Sequence, residues 1–275
     1  MTFLDRLAAR IEATRTNLCL GIDPDPSALP AGFESGVQGV ERMARLLIDH
    51  AAPHAAAVKI NIAFFEAFGS AGIAALERVR VHVASDIPLI IDAKRADLGT
   101  TAARQVAAIF DGLAADAVTL NPYLGADALA PFITRADRFA YILCRTSNPG
   151  AGELQNLDVN GEPLYIHVAR RAAAWSDSGN IGLVVGATAP DEMGHLRQAV
   201  PELPFLVPGV GAQGGDVEAV RHAGPASAGV AGQVRGGALL INVSRAIADG
   251  ALAEGEDPAA AVSASSARWA ARLQC

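Results

Sequence analysis

The stretch Ile90-Ile91-Asp92-Ala93-Lys94-Arg95-Ala96-Asp97-Leu98-Gly99-Thr100-Thr101 runs an apolar strand into an alternation of carboxylate, ammonium and carboxylate. Residues two apart on a β-strand share a face and lie about 6.7 Å apart along it. Asp92 and Lys94 therefore point the same way, and Asp97 follows just past the strand end. Gathering opposite charges at the end of a buried strand costs desolvation free energy, and a merely solvated face would not need Ile90 and Ile91 leading into it. Such a set can hold fixed charge against a reacting group. An ion pair that only braces the fold is the competing reading.

Other segments add to this set. Lys59, in Val58-Lys59-Ile60-Asn61, also ends an apolar run, as does Asp23 in Asp23-Pro24-Asp25-Pro26. Alone, Lys59 would read as a structural salt bridge; beside Asp23 and Asp92 it extends an alternating array of acid and base. A second kind of signal lies near the C-terminus. Pro208-Gly209-Val210-Gly211-Ala212-Gln213-Gly214-Gly215-Asp216 is a glycine-rich turn, and Asn242-Val243-Ser244-Arg245 ends a strand that should open a helix. Glycines let backbone N–H groups approach an anion, a helix N-terminus favours negative charge, and an arginine can bind two oxygens at once. Together they predict a phosphate site. Arg145-Thr146-Ser147-Asn148-Pro149-Gly150 is a polar turn able to present hydroxyl and amide groups to a planar ring, although an ordinary turn fits equally well; Asn121-Pro122-Tyr123 is as ambiguous. His50, His54, His82, His167, His195 and His222 have neither ligand spacing nor a neighbouring nucleophile, and read as surface or packing residues.

Elements must bring these segments together. Strands are expected at Leu18–Asp23, Ala56–Asn61, Leu89–Lys94, Ala117–Asn121, Tyr141–Thr146, Ile181–Ala187, Phe205–Val210 and Ala238–Val243. They are continuously apolar rather than alternating, as strands covered on both faces should be. Helical spacing appears between them: Val40, Met43, Ala44, Leu47 and Ile48 form one stripe, with Glu41, Arg42 and Arg45 off it. Thr2 and Asp5 resemble a capping box opening an N-terminal helix through Arg15, and Asp257 to Leu273 reads as a closing C-terminal helix. Eight strand–helix units suggest a single α/β domain over residues 1–275, a (β/α)₈ barrel, whose usual size is about 250 residues. A doubly wound open sheet competes, but no glycine-rich dinucleotide fingerprint follows the first strand. In such a barrel chemistry gathers where strands end, and sequence neighbours are spatial neighbours, so Lys59 should lie between Asp23 and Asp92. The loops after strands seven and eight are the common phosphate site. The Ala- and Gly-rich stretch from Gly209 to Gly237 reads as one long mobile loop.

Bulk properties narrow the classes of function. The 275 residues are 51% hydrophobic and 19% charged, enough apolar surface for a large core. A net charge of −7 argues against broad binding to a nucleic-acid polymer, which needs a basic surface. No apolar run reaches the 18 or so residues of a membrane span, and the Met1-Thr2-Phe3-Leu4-Asp5-Arg6 start lacks the order of a secretory signal. Cys19 and Cys144 lie in apolar runs and Cys275 is terminal, which predicts buried thiols and a reducing, cytoplasmic setting.

The motif Asp92-Ala93-Lys94-Arg95-Ala96-Asp97 followed by Thr100 and Thr101 resembles the signature of the orotidine 5′-monophosphate decarboxylase family, in its longer bacterial branch. The similarity runs through Gly21-Ile22-Asp23-Pro24, Val58-Lys59-Ile60, Thr146-Ser147-Asn148-Pro149-Gly150, Val185-Gly186-Ala187-Thr188, Pro208 to Asp216 and Val243-Ser244-Arg245; the stretch from Ala226 to Arg235 matches no motif. The resemblance implies cofactor-independent, metal-free decarboxylation of orotidine 5′-monophosphate to UMP, the last step of de novo UMP synthesis. It also implies a homodimer with active sites at the interface. Lys59, Asp92 and Lys94 would act in one subunit, while Asp97, Leu98 and Thr101 would come from the partner. Ser147 would read the pyrimidine edge, and Asp23 and Lys59 would contact the ribose. Gln213 and Arg245 would hold the 5′-phosphate, with the backbone of Pro208, Gly209 and Ser244 nearby. Phosphate contacts could then drive closure of the loop between Gln213 and Arg235.

Three rivals use the same residues differently. A Schiff-base aldolase needs a neutral amine at the moment of attack, whereas Asp92 and Asp97 favour the ammonium form of Lys94. A Mg²⁺-dependent decarboxylase or aldolase of the broader superfamily carries, by resemblance, a glutamate where this chain has Lys59, and a lysine there would repel the metal. A barrel that only binds nucleotides would keep the phosphate loop but need not keep Lys59, Asp92, Lys94 and Asp97 together.

Overall fold

Continuously apolar strands need cover on both faces, and the chain supplies it by closing eight of them on themselves. In the computed structural model, which describes residues 1–211, 214–252 and 257–275, these are β1 (Leu18–Ile22), β2 (Ala57–Asn61), β3 (Leu89–Arg95), β4 (Ala117–Leu120), β5 (Phe139–Arg145), β6 (Ile181–Val185), β7 (Phe205–Val207) and β8 (Leu240–Val243). All neighbours are parallel, each strand pairs with the next in sequence, and β8 returns to β1 with Cys19 opposite Asn242. The eight strands fall where the apolar runs predict, and the fold is the expected (β/α)₈ barrel. Their ends differ by a few residues for local reasons. β7 stops at Val207 because Pro208 has no N–H to give to the ladder, and β5 starts earlier than expected because Phe139 already pairs with Ala117.

The two faces of the strands feed two cores. Ile22, Ile60, Ile91, Val118, Ile142, Leu183, Val207 and Ile241 face the surrounding helices, among them Val37–Ala51, whose stripe of Val40, Met43, Ala44, Leu47 and Ile48 is buried as its spacing predicts. Cys19, Ala57, Ile90, Ala117, Phe139, Tyr141, Val184, Leu206 and Leu240 fill the barrel interior. Small residues on β1, β2 and β4 leave the volume that Phe139 and Tyr141 occupy. Gly182 is part of the same fit, since a Cβ there would sit 2.8 Å from the Tyr141 ring and 3.0 Å from the Phe139 ring.

An N-terminal helix, Phe3–Thr14, closes the foot of the barrel. Thr2 and Asp5 form the reciprocal capping box, and Arg15 ends the helix with φ of +57°. Phe3, Leu4, Leu7 and Ile11 point into the interior core, with Phe3 and Phe139 ring centroids 4.8 Å apart. The closing helix, Pro258–Arg272, starts at its Asp257 cap and packs on Val37–Ala51.

One expectation is corrected here. The stretch from Gly209 to Gly237 is not one long loop. Asp216 caps a helix at Val217–Ala223 by accepting from the N–H groups of Glu218 and Ala219, and Val217 and Val220 bury themselves. A second short helix, Gly229–Gln233, follows, and Ala226, Ala231 and Val234 join the core at the barrel foot beneath the N-terminal helix. In the stretch that matches no motif, Ala226, Ala231 and Val234 are thus packing residues at the end of the barrel remote from the charged strand ends, and the residues between them are exposed. Within the span from Gln213 to Arg235, Val217, Val220, Ala226, Ala231 and Val234 are buried.

Beyond β5 a small antiparallel ribbon pairs Asp158–Val159 with Glu162–Pro163 across Asn160 and Gly161, which have φ of +56° and +88°. Cys19 and Cys144 are buried free thiols and Cys275 is partly covered. Among the described residues no helix is long and apolar enough to cross a membrane.

Candidate active site

Two residues further along four of the strands, the barrel interior changes character. Ala57 is followed on the same face by Lys59, Ile90 by Asp92, Ala117 by Thr119 and Leu240 by Asn242. The apolar layer thereby ends in a polar one at the carboxyl ends of the strands.

Lys59 is only 3% exposed. Its Nζ donates to Asp92 Oδ2 at 2.9 Å and lies 3.9 Å from Asp23 Oδ1, between the two carboxylates as the strand order requires. The other oxygen of Asp92, Oδ1, accepts from Lys94 Nζ at 2.6 Å and from Thr119 Oγ1 at 2.9 Å. Burial on its own would push the Asp92 carboxyl up, but the charges of Lys59 and Lys94 and their hydrogen bonds outweigh it and hold the group well below the usual carboxylate range. Burial pulls Lys59 down, yet Asp92 and then Asp23 overcome that and raise it. Lys59 is therefore an ammonium and Asp92 a carboxylate throughout the physiological range. The seat between Asp23 and Asp92 that a metal cation would take is filled by Lys59 Nζ.

Lys94 does not sit on a regular strand. Its φ is +48°, and the β3–β4 register shifts between Ile91 and Arg95. A non-glycine residue in this region of backbone space is held by its surroundings. Here the N–H groups of Ala93 and Lys94 both donate to Thr119 Oγ1, each at 3.0 Å. The bulge leaves the Lys94 side chain half-exposed at 51% with its ammonium on Asp92.

Two cavities meet over Lys59, Asp92 and Pro208. One, of about 480 Å³, is lined by these residues with Lys94, Thr119, Leu143, Thr146, Ser147, Asn148 and Gln155. The other, of about 140 Å³, is lined by Asp23, Asn61, Gly209, Asn242, Ser244 and Arg245. A planar, partly apolar group fits the first, and a compact anion fits the second.

The loop after β5 is built to present Ser147. Gln155 accepts from the Thr146 N–H at 2.9 Å and donates to Thr146 Oγ1 at 2.8 Å. Arg145 donates to the Thr146 carbonyl at 2.8 Å and pairs with Glu192 at 3.0 Å. Gly186 allows the approach, because a Cβ there would lie 2.7 Å from the Ser147 nitrogen. On the anion side, Gly209, Gly211 and Gly214 have φ of +101°, +82° and +77°, and the Gly215 N–H donates to the Gly209 carbonyl at 3.1 Å. Ser244 precedes a single helical turn, Arg245–Ala248, and Arg245 makes no ion pair among the described residues. Gln213 lies outside the described residues.

The structure thus brings Asp23, Lys59, Asp92, Lys94, Ser147, Pro208, Gly209, Ser244 and Arg245 to the walls of the joined cavities. It does not bring Asp97, Leu98 or Thr101 there. Asp97 Oδ1 accepts from the Leu98 N–H at 2.7 Å, Leu98 is 61% exposed, and Thr101 lines a separate groove with Ile62, Glu66, Arg95 and Ile109. These are the three residues that the family resemblance assigns to the site of a partner subunit. Thr119, Asn61, Gln155 and Asn242 were missed by motif reading; Thr119 and Asn242 could have been found as polar residues at inward positions of otherwise apolar strands.

Comparison with known proteins adds a family. Residues 16–264 match the family described as orotidine 5′-phosphate decarboxylase / HUMPS. The chain is 44% identical over 247 residues to a protein of Herpetosiphon aurantiacus named orotidine 5′-phosphate decarboxylase, covering 89% of this chain and 88% of that one. Among solved structures it resembles Leishmania donovani OMP decarboxylase, with a TM-score of 0.82 and 38% identity over 100% of both chains. It also resembles Leishmania donovani UMP synthase, with a TM-score of 0.85 and 39% identity; 99% of this chain is covered but only 56% of that longer one.

Proposed function

The chain belongs to the orotidine 5′-phosphate decarboxylase / HUMPS family, and from that premise we propose that it converts orotidine 5′-monophosphate to UMP and CO₂ without a cofactor. The observation that carries this reading is the contact of Asp92 with two ammonium groups, one buried and one facing a chamber with room for a pyrimidine. The phosphate enters the smaller cavity, where Arg245, Ser244 and the Gly209 turn meet it, and the ribose spans Asp23 and Lys59. Ser147 meets the edge of the base. The carboxylate at the sixth ring carbon then lies against Asp92, which its lysine partners keep ionised, and the repulsion is relieved as CO₂ departs.

Breaking that C–C bond leaves the electron pair on the ring carbon, and a Lys94 proton moves to it. Lys94 Nζ already stands at the chamber wall, so its positive charge is in place before the carbanion forms and needs little reorganisation. The half-exposed amine regains its proton from water. Enzymes supply about 8–23 kcal/mol of transition-state stabilisation, and remote phosphate contacts can contribute to it through the bound geometry. A Schiff-base route is disfavoured because Lys59 is held as an ammonium and Lys94 is engaged by a carboxylate.

Asp97, Leu98 and Thr101 face away from their own cavity and would complete the site of a second copy in a homodimer. The chemistry is tested with purified protein and orotidine 5′-monophosphate by following loss of the substrate's ultraviolet absorbance. Turnover is expected, and Lys94→Ala should abolish it while UMP still binds. Near-normal turnover by Lys94→Ala removes Lys94 from the donor role.

A further inference from the structure

We propose that Thr119 is a positioning residue for this reaction, its hydroxyl clamping the bulge of β3 that sets Lys94 against Asp92. The inference rests on the decarboxylase reading of the site. A threonine hydroxyl has one proton to give and two lone pairs to receive with. The N–H groups of Ala93 and Lys94 both reach Oγ1 at 3.0 Å, which uses its accepting capacity. The proton is then directed to Asp92 Oδ1, 2.9 Å away. That oxygen is the one that also accepts from Lys94 Nζ at 2.6 Å. One buried hydroxyl, 2% exposed, therefore fixes the backbone of the lysine and the carboxylate that orients its ammonium.

The backbone needs such a clamp. Lys94 has φ of +48°, and the β3–β4 ladder slips between Ile91 and Arg95, across the two residues whose N–H groups Thr119 accepts. Neither Ala93 nor Lys94 pairs with a residue of β4, so a side chain of β4 does there what the ladder does elsewhere. Valine has the shape of threonine without the hydroxyl, and serine has the hydroxyl without the methyl. The two substitutions separate packing from hydrogen bonding.

Thr119→Val, Thr119→Ser and the unmodified chain are compared by kcat and KM for orotidine 5′-monophosphate, UMP affinity and melting temperature. The inference expects Thr119→Val to lose about 10- to 100-fold in kcat, with KM and UMP affinity within about threefold, and Thr119→Ser to recover most of the lost kcat. A Thr119→Val chain with kcat within twofold of the original overturns the clamp. So does a loss of kcat that tracks a fall in UMP affinity and melting temperature and is not restored by serine, because that is the behaviour of a residue needed only for packing. If the unmodified chain shows no turnover, the decarboxylase reading falls, and the inference with it.

Discussion

At the scale of single residues, the site works because of what surrounds Asp92. Lys59, Lys94 and Thr119 occupy both of its oxygens, and the buried Lys59 leans on it and on Asp23 for compensation. Asp92→Asn would leave that ammonium poorly paired, a change that costs about 3–5 kcal/mol of stability when a buried pair is broken. The sign of the pH dependence follows from the direction of the shift. Asp92 is held below its unfolded value of about 3.9, so the stability it contributes is fully present above that pH and is lost as pH falls through the lower folded value. Lys59, raised in the fold, contributes stability that is complete below about 10.4 and is lost as pH rises through its folded value. Urea unfolding of the original and Asp92→Asn chains from pH 7 to pH 3 should give a stability gap that narrows below about pH 4; a gap of constant size would mean that Asp92 is not held ionised by the fold.

At the scale of elements, the barrel separates stability from chemistry along its axis. The N-terminal helix seals the foot with Phe3, Leu4, Leu7 and Ile11, whereas the charged residues stand at the opposite strand ends. Leu7→Ala should therefore destabilise the chain by about 2–5 kcal/mol in denaturant unfolding, with KM for the nucleotide unchanged; a shift in KM would mean that the foot and the site are coupled. This axis also explains what could be read from the sequence. The eight strands were legible because burial on both faces writes itself as unbroken apolar runs such as Leu89-Ile90-Ile91. The order Asp23, Lys59, Asp92 followed from strand adjacency alone. Gly209 to Gly237 was misread because its glycines and alanines hide the Asp216 cap and the Val217–Val220 pair, which are too short to show helical periodicity. Thr119 was passed over because a threonine in Ala117-Val118-Thr119-Leu120 reads as an ordinary strand former. The bulge at Lys94 escaped for a different reason: period-two reasoning presumes a regular strand, and this one departs from it at the residue that matters.

At the scale of the whole molecule, one chain builds most of a site but leaves Asp97, Leu98 and Thr101 facing elsewhere. Exposed Ile73 lines the groove that holds Thr101, and exposed Leu98 stands three residues before Thr101 in the chain. If a second copy completes the site in the proposed homodimer, inactive Lys94→Ala and inactive Asp97→Ala chains should regain part of the activity when mixed, since each mixed pair holds one intact site. Absence of recovery in demonstrated mixed dimers refutes the shared arrangement. The ribbon beyond β5 carries a different consequence. Its turn at Asn160 and Gly161 stands on the surface, between the fifth strand and the sixth. A cut there would divide the barrel into a five-stranded piece bearing Lys59 and Lys94 and a three-stranded piece bearing Arg245, the residue proposed to meet the phosphate. The halves would have to find each other along two ladders at once, β5 with β6 and β1 with β8. The nucleotide, gripped at one end by each piece, would be the natural glue between them.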